Sequence, residues 1–148
     1  MINKYQKFHV GINVIVVKNN QLLLGKRKNV YGAGTWGMSG GHLEDMEGMK
    51  DAAARELFEE TGIKAEEYIF SDIVNDRRDN HYLQIGFVAK NHKGEPQVRE
   101  PDRCEERKWF DLDDLPENIF PGHVENIRLY LENSNFGDNW LYETRSSI

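Results

Sequence analysis

The chain has 148 residues, of which 39% are hydrophobic and 30% charged, and its mean hydropathy is −0.71; this fits one globular domain with a real core and includes no apolar run of membrane-spanning length. A net charge of −6 excludes the global basic footprint of a protein that grips a nucleic-acid polymer. The N-terminal MINKYQKFHV lacks a signal-peptide core, and the single cysteine, Cys104, forbids an internal disulfide, so a reducing, cytoplasmic setting is expected.

From the N-terminus, VGINVIVVKNNQLLLGKR reads as two strands, residues 9–17 and 21–27, joined at Lys18-Asn19-Asn20. Val14 to Val17 is continuously apolar, as in a strand covered on both faces. Five glycines within residues 29–42 predict a loop or a series of turns. A helix is expected near 48–61, closed by Gly62 in a left-handed cap. Its core-facing positions are Ala53 and Leu57, with Ala54 and Phe58 beside them. Two more strands are expected at about 67–76 and 81–89, turning near Asp79-Asn80, and another at 107–111. VENIRLYLEN reads as a closing amphipathic helix whose apolar stripe includes Val124, Ile127 and Leu131. The tail from about 134 carries Trp140, Leu141 and Tyr142, candidates to dock on the domain or on a partner. Mixed strands with two separated helices predict a layered α/β domain over 1–148.

The predicted first helix ends in RELFEE. Residues three and four apart on a helix are neighbours, so Glu56, Glu59 and Glu60 crowd one face, with Glu47 and Asp51 nearby. Like charges at that spacing each cost about 0.2–0.5 kcal/mol. Two of the three also sit in the last turn, where the helix dipole favours cations. Two readings account for this: a solvated acidic face, or a site for a hard divalent cation that takes oxygen ligands and turns repulsion into binding.

The surrounding pattern is Gly41-x5-Glu47-x7-Arg55-Glu56-Leu57-x-Glu59-Glu60-x-Gly62-Ile63. It resembles, at every fixed position, the signature box of the Nudix hydrolases. LLLGKRKNVYGAGTW, GGHLE and VNDRRDNHYLQIGFVAK extend the resemblance, from about Val10 to Leu131, to the MutT-like nucleoside triphosphate diphosphatases. EPDRCEERKWFDLDDLP is similar to the late strand and turn of that branch. The resemblance implies an α/β/α sandwich around a mixed sheet and a box that holds Mg2+, for which Mn2+ can substitute. By position, Glu56 and Glu60 are the implied main ligands, with Glu59 a third and the carbonyl of Gly41 or Gly40 helping. Glu47 and Arg55 are the implied brace of the loop, and Glu105, then Glu106, is the implied late glutamate. Ion-activated water then attacks phosphorus, with Glu56 or Glu105 orienting or deprotonating it.

Three positions depart from the pattern of the relatives. Ser39 replaces a common proline, Met46 stands where a turn often has glycine, and Arg107 occupies a place expected to hold tryptophan. Candidate substrate contacts are Arg27, flanked by Lys26 and Lys28, for phosphate, and Trp36 or Tyr31 for stacking on a base. His42 is a further candidate for the base or a phosphate, and His81-Tyr82 matches the branch pattern with strand packing as its simpler reading. Arg78 and Asp79 stand where ADP-ribose and diadenosine-type relatives often carry proline or tyrosine, which favours a simple triphosphate. An ADP-ribose or other nucleoside diphosphate pyrophosphatase is the alternative activity, and a non-catalytic nucleotide-binding regulator the third. A homodimer is suggested by the resemblance alone, and no membrane partner is expected.

Overall fold

The computed structural model describes residues 7–133 and 139–145. Strand β1 (His9–Ile15) lies second in a five-stranded sheet whose order is β5-β1-β7-β6-β9. Its neighbours are β5 (Ser39–His42), antiparallel, and β7 (Tyr82–Lys90), parallel. β7 pairs antiparallel with β6 (Glu67–Asp76), and β9 (Leu141–Glu143) closes the edge parallel to β6. A second sheet joins β2 (Val17–Lys18), β3 (Gln21–Arg27) and β4 (Trp36–Gly37), with β8 (Cys104–Asp111) on the other side of β3. The mixed α/β architecture that the resemblance implies is present, with its strands divided between two sheets: the run at 9–17 breaks at Val16 and its end turns into the second sheet.

The apolar part of that run, Val14 to Val17, follows from cover on both of its faces. Ile12 and Val14 join Ala52, Ala53 and Leu57 of helix α1 (Met49–Thr61) in one core. Ile15 joins Leu22, Leu24, Met38 and Ile127 in the other. The turn into β3 places Asn19 and Asn20 at φ 51° and 62°, the paired left-handed geometry that fits a tight hairpin to twisted strands. The glycine-rich stretch at 29–42 is more ordered than a loop, since it contains both β4 and β5.

Helix α1 stops where expected: Gly62 lies at φ 80° and its N–H donates to the carbonyl of Phe58. Phe58 itself is exposed and Ala52 takes the buried position instead. Helix α2 (Pro121–Glu132) begins earlier than the sequence suggests, with proline in its first turn. Its buried face is His123, Asn126, Ile127 and Leu129, while Val124 and Leu131 are exposed. The expected stripe is rotated because Asn126 is bound into the sheet: its amide donates to Asp72 Oδ1 at 2.6 Å and to the carbonyl of Gln84 at 3.0 Å. The strand expected at 107–111 starts at Cys104.

The tail docks on its own domain. β9 pairs with Ile73–Asn75, Trp140 packs edge-on against Phe70, and Arg128 lies over the Tyr142 ring. The expected tail residues 134–138 and 146–148 lie outside the described residues. No helix among the described residues is long and apolar enough to cross a membrane.

Met46 sits at φ 64° with its side chain almost wholly exposed. A left-handed conformation strains any residue with a Cβ, and nothing packs on this side chain to offset it. Replacing it with glycine should stabilise the protein by roughly 0.5–1 kcal/mol, the left-handed strain less the larger entropy loss of glycine. Urea unfolding of Met46→Gly checks this, and a lower midpoint would contradict it.

Candidate active site

The site forms where the last turns of α1 face the glycines of β5. The register of β1 sets Ile12 beside Gly41 and Asn13 beside Gly40. A Cβ on Gly40 would stand 2.2 Å from the carbonyl oxygen of Ile12, and one on Gly41 would stand 2.3 Å from Glu56 Oε1. Gly40 therefore has no room for a side chain, and at Gly41 a side chain would displace the Glu56 carboxylate. The glycines let the helix carboxylates reach the strand backbone, and the Gly40 N–H donates to Glu60 Oε2 at 3.1 Å.

Arg55 organises the outer rim. Its Nε and Nη2 donate to the two Glu47 oxygens at 2.7 and 3.0 Å, a two-point grip on the loop before the helix. Its Nη1 donates to Glu56 Oε1 at 2.8 Å and, more weakly, to Glu59 Oε2 at 3.4 Å. The hydrogen bond from Arg55 holds the Glu47 carboxyl below its ordinary range. Glu47 in turn raises the Arg55 guanidinium further. The brace expected between Glu47 and Arg55 is thus present as an ion pair. Asp51 stands apart in the first turn of α1 and is exposed.

The inner carboxylates behave differently. Burial pushes Glu56 up, opposed by the Arg55 hydrogen bond. Burial pushes Glu60 up to about 8, opposed chiefly by the charge of Arg107, whose Nη2 lies 3.8 Å away. Their side chains are only 14% and 17% exposed, against 53% for Glu59. Glu60 is therefore desolvated with its cationic partner, Arg107, only at a long contact.

These groups line a cavity of about 830 Å3. Lys26, Arg27 and His42 line it as the sequence suggests. Arg27 Nε donates to the Tyr31 carbonyl at 2.9 Å, and its guanidinium lies 3.9 Å from the centre of the Phe120 ring. His42 is hydrogen-bonded to the Tyr82 hydroxyl at 3.2 Å. Tyr31 also lines the cavity and is 75% exposed, open to stacking. Trp36, expected to bind substrate, does not line the cavity: it packs edge-on against Phe110, ring centres 4.8 Å apart, in the second core. Lys28 points to solvent, and His81 is hydrogen-bonded to Asn75 outside the cavity.

Glu105 is likewise absent from the lining. The register of β8 against β3 shifts between Lys26 and Arg27 and leaves Glu105 unmatched; this bulge breaks the alternation that would put it on the face of Arg107, and Glu105 makes only a long contact with Lys26, 4.0 Å away. Glu106 is exposed too. The late glutamate that does line the cavity is Glu100, whose charge raises both Glu56 and Glu60. It lies in an irregular segment where no spacing rule separates it from its neighbours. His123 was also not legible in advance. It is fully buried and neutral, held down to about 3 by burial and then by the Arg27 charge, and its Nδ1 accepts from the Met38 N–H at 3.0 Å.

Among the described residues no three acidic, histidine or cysteine groups already converge on one point. The donor set still suits a hard divalent cation. Glu56, Glu59 and Glu60 offer only oxygen, the glycine strand lets them approach its backbone, and two of them are largely desolvated. Magnesium-type ions need few protein ligands when water and phosphate fill the remainder.

The NUDIX domain family model matches residues 7–130. The chain is 33% identical over 126 residues to an ADP-ribose pyrophosphatase of Methanocaldococcus jannaschii, covering 82% of this chain and 72% of that protein. It is 29% identical over 143 residues to the oxidized purine nucleoside triphosphate hydrolase of Mus musculus, covering 91% and 87%. The crystal structure of a MutT NUDIX hydrolase from Burkholderia pseudomallei superposes with a TM-score of 0.75 at 34% identity, over 87% of this chain and 99% of that one.

The folded protein binds the Glu60 proton more tightly than the unfolded chain does. Its contribution to stability is complete below about 4.5 and is lost as pH rises through about 8. Melting in excess chelator between pH 5 and 9 should show that decline, and Glu60→Gln should flatten it. An identical pH profile in the variant would contradict the assignment.

Proposed function

The chain belongs to the NUDIX family, and on that premise we propose that it hydrolyses nucleoside triphosphates to the monophosphate and diphosphate with the help of Mg2+. The coarser activity is established by kinship: the chain is a pyrophosphohydrolase that acts on phosphoanhydrides of nucleotides and uses divalent metal ions. The reading as a non-catalytic regulator is therefore set aside.

The observation that carries the triphosphate reading is the presence of both acidic and basic groups in one cavity: Glu56, Glu59, Glu60 and Glu100 line it together with Lys26, Arg27 and Arg103. A triphosphate concentrates negative charge on a short chain and needs both an ion and fixed cations to hold it. Arg27 is already desolvated on the Phe120 ring, so its charge is strengthened toward a phosphate oxygen. The overlap with the murine triphosphate hydrolase, over 87% of that protein, supports the same substrate class.

Glu56, Glu59 and Glu60, with the Gly41 carbonyl, would hold the ion. When bound, it supplies Lewis-acid charge for the phosphates and lowers the pKa of water. The chain's own residues do the rest. Arg55 pins the loop to the helix through Glu47 and fixes the angle at which Glu56 enters the cavity. Glu100, or Glu56 itself, accepts the proton from the attacking water. Water adds across the α–β anhydride: its oxygen joins one phosphorus, the bridging oxygen leaves with the other, and the proton departs to the carboxylate. Arg27 and Lys26 hold the phosphates in line. Tyr31 offers an open aromatic face to the base.

Incubation with Mg2+ and, separately, ordinary triphosphates, oxidised purine triphosphates and ADP-ribose, with products identified, tests this reading. Diphosphate and monophosphate are expected from a triphosphate. Turnover confined to ADP-ribose, giving AMP and ribose phosphate, would contradict it. Glu56→Gln and Glu60→Gln should each lower kcat by about 10²-fold or more. Arg55→Ala should cost roughly 10–100-fold through loss of orientation.

A further inference from the structure

Two of the positions where the sequence departs from its relatives, Ser39 and Arg107, touch each other in the fold. β8 sets Arg107 opposite Gly25 of β3. The guanidinium passes so close to β3 that a Cβ on Gly25 would stand 2.8 Å from Nη1. Nη1 donates to Ser39 Oγ at 3.2 Å, and Nη2 faces Glu60 Oε2 at 3.8 Å. The Arg107 side chain is 6% exposed, and its Nε is buried with no hydrogen-bond partner.

A guanidinium keeps its charge and presents five donors. Here it is nearly dry, one donor is unpaired, and its carboxylate contact is long. Packing alone does not explain it, since an apolar side chain would fill the space without the desolvation cost. Arg55 already serves as the brace through short, two-point contacts. Arg107 differs because it lines the cavity and faces Glu60, one of the two inner carboxylates that are largely buried.

We propose that Arg107 is a resident counter-cation of the carboxylate site, holding Glu60 while no divalent ion is bound and opposing the ion when one enters. This rests on the reading that Glu56, Glu59 and Glu60 hold that ion. A fixed positive charge beside a ligand oxygen lowers repulsion in the ion-free protein and weakens cation binding for the same reason. A substrate phosphate entering the cavity brings negative charge that offsets Arg107. Ion uptake is thereby tied to substrate, and the free protein holds the ion loosely.

Calorimetric titration of the whole chain with Mn2+ alone tests the proposal, with circular dichroism reporting the fold. Arg107→Met and Arg107→Gln should bind Mn2+ at least about tenfold more tightly than the native protein, as removal of a poorly solvated charge 3.8 Å from a ligand oxygen implies. Arg107→Lys, which keeps the charge, should bind close to the native affinity. A neutral variant that is unfolded in chelator but folds on addition of Mn2+ also supports the proposal. Folded neutral variants with native or weaker affinity overturn it, as do variants that stay unfolded with and without Mn2+. No Mn2+ uptake by the native protein and by every variant overturns the ion-site reading as well, which separates the two failures.

Discussion

A side chain at position 41 would occupy the space in which the Glu56 carboxylate lies, 2.3 Å from Oε1. The rest of the site depends on that close approach. The bare strand at Gly40 and Gly41 allows α1 to settle with its last turns against β5, and the Gly40 N–H reaches Glu60. Packing of Ala52, Ala53 and Leu57 against Ile12 and Val14 drives the docking. The carboxylates are carried out of water as a consequence. The apolar face of the helix thus offsets the electrostatic cost on its polar face.

The cost is not spread evenly. Glu47 and Glu59 lie on the rim and share Arg55. Glu56 has Arg55 on one side only, and Glu60 has a backbone N–H and a distant guanidinium. Charge compensation therefore declines from the rim toward the cavity. On the proposed reading, that gradient leaves the inner carboxylates available to an incoming cation while the outer ones hold the loop. Replacement of the inner charges by neutral groups would relieve the fold and remove the reason for the arrangement.

Much of this was legible in the chain. The spacing from Gly41 to Ile63 locates the loop, helix and cap, and the Glu47–Arg55 pair follows from it. The apolar run at Val14–Val17 announces a segment covered on both faces, although it breaks at Val16 and passes from one sheet to the other. What was not legible depends on contacts distant in sequence. Trp36 lies beside the cavity-lining Gly37 but turns its ring to Phe110, across the second sheet. Val124 and Leu131 look like a helical stripe, but the hydrogen bonds of Asn126 to Asp72 and Gln84 rotate the helix away from them. Glu105 looked well placed by position along the chain. A bulge against β3 breaks the alternation there and keeps it out of the cavity, and an irregular segment with no periodicity delivers Glu100 instead. Local pattern thus located the box, and long-range packing chose its companions.

The central claim is that the desolvated carboxylates of α1 exist to take a divalent cation. Crystals of the native protein grown with Mn2+ and measured at a wavelength where manganese scatters anomalously address it directly. The account predicts an anomalous peak within coordination distance of Glu56 and Glu60, beside the Gly41 carbonyl. Absence of any peak there at millimolar Mn2+, or occupancy confined to some other surface carboxylates, would contradict it.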